Sequence, residues 1–178
     1  MTQNGKKLSF DYPNIMFNIV LYSPEIPPNT GNIMRLCFNT GARLHIIRPI
    51  SFDFDSKKLK RASLDHFEKI NIEFYDDYED FLNSQIKFPR IFCITKFGKT
   101  RYDKVVFEEN DFFLFGNETS GLPSNIMNRF ENMRKLYLPM QKVSRSLNLS
   151  NAVSILIFEA WKQNNFKGGG ANYTPNSK

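Results

Sequence analysis

Three separated stretches concentrate side chains able to hold or activate a ligand. The first, PPNTGNIMR at residues 27–35, carries Asn29, Gly31, Asn32 and Arg35. Asn32 and Arg35 are three apart and share a face if the segment is helical. A guanidinium fixed at the edge of a core offers a rigid fork of donors to a phosphate or a ribose. It can equally pack its stem and leave its head in water. The second stretch, FGNETSGLP at residues 115–123, sets Glu118 between Gly116 and Gly121. The glycines permit tight turns and close approach of the backbone to a ligand. A carboxylate between them is costly if buried without a partner. A glycine-rich turn from strand to helix accounts for the segment as well. The third runs from Leu138 to Trp161 and reads LPMQKVSRSLNLSNAVSILIFEAW. Ser144, Arg145, Ser146 and Asn148 precede a helix there. Such a run either holds a ligand at the helix N-terminus or simply caps the helix.

Other chemistries lack their signatures. GxGxxG, the P-loop and GxSxG are absent. His45 and His66 stand alone, so no metal site is expected. Cys37 and Cys93 are isolated and suggest neither a metal site nor a disulfide framework.

The elements that must position these stretches alternate along the chain. Short apolar runs predict strands at Met16–Tyr22, Leu44–Ile47, Ile70–Tyr75, Arg90–Thr95, Phe112–Phe115 and Arg134–Leu138. Between them, helices are expected from about Asn29 to Asn39, at Lys57–Leu64, at Asp76–Asn83 and at Leu122–Asn128. The first of these has Asn29 or Thr30 as its cap and Gly41 as its stop. The fourth has Pro123 in its first turn. The last helix has Asn148 or Ser150 as cap and an apolar stripe of Val153, Leu156, Ile157, Ala160 and Trp161. Lys96–Lys104 reads as a basic loop. The fold class is therefore α/β, a mostly parallel sheet with helices on both faces. Three of the loops follow strands and so can meet at one edge of the sheet.

Composition narrows the function. The 178 residues suit one domain. Hydrophobic residues make up 41% and charged residues 24%, as in ordinary globular proteins. No apolar run is long enough for a membrane span, and the N-terminus lacks a signal-peptide core, so a cytoplasmic location is expected. The net charge of +6 favours a polyanionic partner. The excess gathers at Lys57, Lys58, Lys60 and Arg61 and again at Lys96, Lys99, Arg101 and Lys104, while Glu73–Asp80 is acidic. A solvated helix face explains the first cluster equally well.

Taken in order and at their separations, NTGNIMR, FGNETSGLP and LPMQKVSRSLNLSNAVSI resemble the three signature motifs of the SPOUT methyltransferases. The opening FNIVLYSPEIPPNTGNIMRLCFNTGARLHII resembles the small single-domain subgroup that acts on the tRNA wobble nucleotide. The resemblance covers about Met16 to Phe166. It implies a C-terminal deep trefoil knot, S-adenosylmethionine as cofactor, a homodimer, and tRNA as partner. The implied reaction is methylation of the ribose 2′-hydroxyl of the wobble cytidine or modified uridine, with leucine tRNAs as the expected substrates. By the same resemblance Ile94, Gly116, Leu138, Ser146 and Asn148 contact the cofactor and Arg35 is the catalytic arginine. Arg145, Lys96 and Lys99 are candidates for the tRNA backbone. The expected division is an N-terminal extension over 1–14, one domain over 15–166 and a disordered tail over 167–178. The extension and Val143, at a position often polar in such proteins, depart from the subgroup. Two alternatives stand beside this reading. One is the same chemistry on ribosomal RNA, where relatives often carry an added RNA-binding domain for which this chain has no room. The other is a non-catalytic RNA-binding protein of the same fold.

Overall fold

The protein is described from a computed structural model over residues 17–54, 59, 70, 72–85 and 89–170. The expected extension at 1–14, most of the helix and basic cluster at 57–64, His66, and residues 171–178 lie outside the described residues. Among the described residues seven strands form one sheet: β1 (Phe17–Tyr22), β2 (Arg43–Ile47), β3 (Ile72–Tyr75), β4 (Ile91–Ile94), β5 (Thr100–Arg101), β6 (Asp111–Phe115) and β7 (Lys135–Tyr137). Their order is β3-β2-β1-β6-β4-β7-β5, and every pairing is parallel. Among the described residues, the helices α1 (Pro27–Thr40), α2 (Tyr78–Asn83), α3 (Ser124–Met127) and α4 (Leu149–Gln163) accompany them.

The side-chain alternation of the central strands builds two cores. Phe17, Ile19 and Leu21 of β1, Leu44 and Ile46 of β2, and Phe113 and Phe115 of β6 pack toward α1 and α4. Their alternates Val20, Ile47, Phe112 and Leu114 pack toward Tyr78 and Phe81 of α2 and Ile126 of α3. Both faces of β1 and β6 are therefore covered, which is why those strands are apolar on both faces apart from the buried Asn18 and Asp111. On α4, Val153, Leu156, Ile157 and Ala160 are fully buried and Trp161 is half-buried at the end of the stripe. His45 sits among the second core's rings. Its Nδ1 lies 2.8 Å from the Tyr75 hydroxyl and its Nε2 3.2 Å from Asn18 Oδ1.

Three expectations are corrected. α1 opens two residues before Asn29, with Ile26 at its cap and no side-chain cap bond. Pro27 and Pro28 lack the N–H groups that a capping side chain would satisfy, so they begin the helix rather than precede it. Asn29 and Thr30 are buried inside it. The helix does end at Gly41, whose φ of 71° is left-handed. Lys96–Lys104 is not wholly loop: it contains β5 and a 3-10 turn at Tyr102–Lys104. A two-residue edge strand has no periodicity to read. α3 begins after Pro123, which sits at its cap rather than in its first turn.

At the amino-terminal edge of the sheet, Arg90 grips Asp111 with two bonds, 2.6 Å from Nε and 2.7 Å from a terminal nitrogen. Of the segment expected to form the tail, residues 167–170 are described; the Lys167 carbonyl accepts from the Trp161 indole at 2.9 Å.

Candidate active site

All seven strands point the same way, so their carboxyl ends share one edge, where open α/β sheets place their ligands. Ile94 ends β4, Phe115 ends β6 ahead of Gly116, and Leu138 follows β7. These ends wall a cleft of about 390 Å³. Ser146 and Asn148 close it from the lead-in to α4, and Asn29 from the first turns of α1. The three chemistry-rich stretches thus meet at one place.

What joins them is a chain of hydrogen bonds. Glu118 Oε2 accepts from the Glu25 backbone N–H at 2.9 Å, and Oε1 from Ile26 N–H at 3.3 Å and Asn29 Nδ2 at 2.9 Å. Asn29 Oδ1 in turn accepts from Asn148 Nδ2 at 2.9 Å. Asn148 Oδ1 caps α4, accepting from Ser150 N–H at 2.9 Å and from its hydroxyl at 2.7 Å. Thr119 adds a bond from its hydroxyl to Glu25 Oε2. One carboxylate and two amides therefore fix the β1–α1, β6–α3 and β7–α4 connections against one another. Asn29 and Glu118 were legible as polar residues of interest. Their bond to each other was not, because it spans 89 positions of sequence.

Gly116 is demanded by the turn that follows it. A Cβ there would lie 2.1 Å from the carbonyl carbon of Gly121 and 2.3 Å from the Leu122 nitrogen. Gly121 has a φ of 72°, and Asn117 Oδ1 binds the turn from inside through Ser120 and Gly121. This brings bare backbone to the cleft wall. The cleft thus offers a ligand main-chain groups beside apolar contacts.

The predicted residues divide. Ile94, Gly116, Leu138, Ser146 and Asn148 all line the cleft. Lys96 and Arg145 line it too and are exposed, giving its rim positive charge. Lys99 is exposed but does not line it. Arg35 stands exposed on α1, outside the walls of its own chain's cleft. Val143 is 93% exposed in the loop leading to α4. Among the described residues no group of three or more His, Cys, Asp or Glu side chains could hold a metal ion.

Known proteins match this chain closely. The model of the SpoU rRNA methylase family matches residues 16–158. A tRNA (cytidine(34)-2'-O)-methyltransferase of Burkholderia ambifaria is 47% identical over 155 residues, covering 86% of this chain and 99% of that protein. A solved structure, described as giving structural insights into the 2-OH methylation of C/U34 on tRNA, superposes with a TM-score of 0.81 at 38% identity. It covers 85% of this chain and 98% of its own. An AdoMet-bound rRNA methyltransferase from Sinorhizobium meliloti superposes with a TM-score of 0.74 at 25% identity, over 83% of this chain and 56% of that one.

Proposed function

The chain belongs to the SpoU rRNA methylase family, and on that premise we propose that it methylates the ribose 2′-hydroxyl of the wobble nucleotide of tRNA, a cytidine or a modified uridine. S-adenosylmethionine is the cofactor. The observation that carries this reading is the meeting of Ile94, Gly116, Leu138, Ser146 and Asn148 around one cleft at the carboxyl edge of the sheet. When bound, the cofactor supplies an electrophilic methyl group on a sulfonium. The bare backbone at Gly116, the strand ends at Ile94 and Leu138, and the polar lead-in at Ser146 would hold it. The cleft's volume and mixed polar and apolar walls suit it.

The remaining work is alignment and charge. Lys96 and Arg145 at the rim, with Lys99 nearby in sequence, attract the phosphates of the RNA. Arg35 does not act as a base, because a guanidinium scarcely deprotonates in a protein. It stabilises the ribose oxygen as that oxygen loses its proton, or holds a neighbouring phosphate that takes the proton. In its own chain Arg35 is not among the residues that line the cleft, so we assign its role to the cleft of a second copy. Ile155 and Phe158 of α4 remain 39% and 47% exposed, an apolar face that a homodimer would cover. Two further parts of the reading are leucine tRNAs as substrates and a cytoplasmic location. Among the described residues no helix is long and apolar enough to cross a membrane. The strand order supports a C-terminal knot. β7 lies between β4 and β5 although it follows both in sequence, so the last segment passes beside the short connection joining them.

The test is transfer of labelled methyl from S-adenosylmethionine to tRNA taken from cells lacking this protein. Label in the RNA, lost when Gly116 is replaced, supports the reading. Cofactor binding without transfer to any tRNA fraction overturns it.

A further inference from the structure

The rim of the cleft carries an aromatic ring that the cofactor-holding residues do not account for. Phe97 lines the cleft and is 63% exposed, whereas Phe115 at the neighbouring strand end is 2% exposed. The turn bearing it is built to hold it out. Thr95 N–H donates to the Leu136 carbonyl at 2.9 Å, and Lys99 N–H to the Lys135 carbonyl at 3.0 Å. Between these anchors the Gly98 N–H closes on the Thr95 carbonyl at 3.1 Å, and the Phe97 N–H on Thr95 Oγ1 at 3.3 Å. Gly98 presses so closely on β7 that a Cβ would fall 2.5 Å from the Leu136 carbonyl carbon. The turn cannot slide inward to bury the ring. The Lys96 ammonium lies 5.2 Å from the ring centroid, and Arg145 lines the same cleft.

An exposed aromatic face among cations, on a braced turn, is how proteins seize an unstacked base of single-stranded RNA: the ring stacks on the base and the cations take the phosphates. The cofactor's wall is different in kind, made of backbone and of buried or half-buried strand ends. A cationic rim also favours a polyanion over a second, apolar protein. We propose that Phe97 is the stacking platform for a base of the substrate RNA beside the methylated nucleotide, with Lys96 paired to its backbone. This rests on the methyltransferase reading for the nature of the substrate.

The experiment measures tRNA affinity by filter binding and S-adenosylmethionine affinity by calorimetry, for the wild-type chain and for Phe97→Ala, Phe97→Leu and Phe97→Trp. Phe97→Leu keeps an apolar side chain but has no π face. Alanine and leucine are expected to weaken tRNA binding about tenfold, while tryptophan preserves it and cofactor affinity stays unchanged. The Phe97→Trp emission, read against the single native Trp161, should be quenched by tRNA and not by cofactor. Leucine binding tRNA as well as the wild type overturns the proposal, because apolar contact alone would then suffice. Loss of cofactor affinity with tRNA affinity intact also overturns it, by assigning the ring to the cofactor. Binding is read separately from turnover. Absence of methyl transfer by the wild type would therefore count against the reading of the reaction and not against the stacking contact.

Discussion

Asn29 and Glu118 lie 89 residues apart in the chain, and the Asn29 side-chain nitrogen donates to a Glu118 carboxylate oxygen at 2.9 Å. That same carboxylate receives two backbone N–H groups from the entry to α1. Removing it leaves three donors to find other partners. Glu118→Ala is expected to lower stability by about 2 kcal/mol and to weaken cofactor binding, since the β6–α3 and β7–α4 connections lose their common anchor. Asn29→Ala should do much the same, and the double variant should lose less than the sum of the two, because both belong to one network. Denaturant melts and calorimetry of the four proteins check this; strict additivity would contradict it.

Gly116→Ala addresses the backbone wall. The added methyl meets main-chain atoms at 2.1 and 2.3 Å, which no side-chain rotation relieves. The turn must move, with an expected stability loss of about 1–3 kcal/mol and a loss of S-adenosylmethionine affinity of at least about tenfold. Calorimetry on the folded variant checks it; wild-type affinity would contradict it.

His45 gives a prediction for pH. Burial is the main cause that pulls its pKa from 6.5 to about 4, with the Glu73 carboxylate opposing and Arg43 assisting. The unfolded chain therefore binds more protons between those two values. Stability contributed by the neutral ring is full above about 6.5, declines as pH falls, and is lost once pH passes below about 4. Between pH 7 and pH 5 the expected loss from this group is about 2 kcal/mol. Urea melts at the two pH values, for wild type and His45→Gln, measure it. An equal slope in both proteins would contradict it, and an NMR titration of the ring reads the same quantity directly.

Arg35 is tested by its chemistry and by its place. Arg35→Lys keeps the charge and loses the fork, so turnover should fall at least about tenfold with cofactor affinity unchanged. Full activity would contradict a role for the planar guanidinium. Mixed dimers of an Arg35→Ala chain with a Gly116→Ala chain probe whether the arginine acts across subunits. A shared site should recover about half of wild-type activity, because one cleft is intact and receives the other chain's arginine. No recovery would place Arg35 with its own cleft.

Much of the fold could be read locally. The buried strands β1, β4 and β6 are apolar apart from Asn18 in β1 and Asp111 at the start of β6, and α4 carries its stripe at helical spacing with Asn148 as cap. The parallel sheet follows from strands and helices alternating along the chain. What was not legible depended on distant partners or on very short elements. Asn29 has the side chain of a cap and serves instead as a bridge, because the prolines before it had already started the helix. β5 has two residues and exists because β7 offers it a ladder. Gly98 gives no sign in sequence that a neighbouring strand leaves no space for a side chain. The candidate site residues Ile94, Gly116, Leu138, Ser146 and Asn148 came from motif resemblance, and all of them line one cleft. Phe97 had no motif to flag it; an aromatic next to Lys96 at the start of a basic stretch was the available signal.

The most direct measurement is nucleotide-resolved mass spectrometry of tRNA incubated with this protein and S-adenosylmethionine, starting from RNA that lacks ribose methylation at the wobble position. The account predicts a single new 2′-O-methyl group, on the cytidine or uridine at that position. A methyl on a base, on a ribose elsewhere in the tRNA, or on ribosomal RNA alone would contradict it.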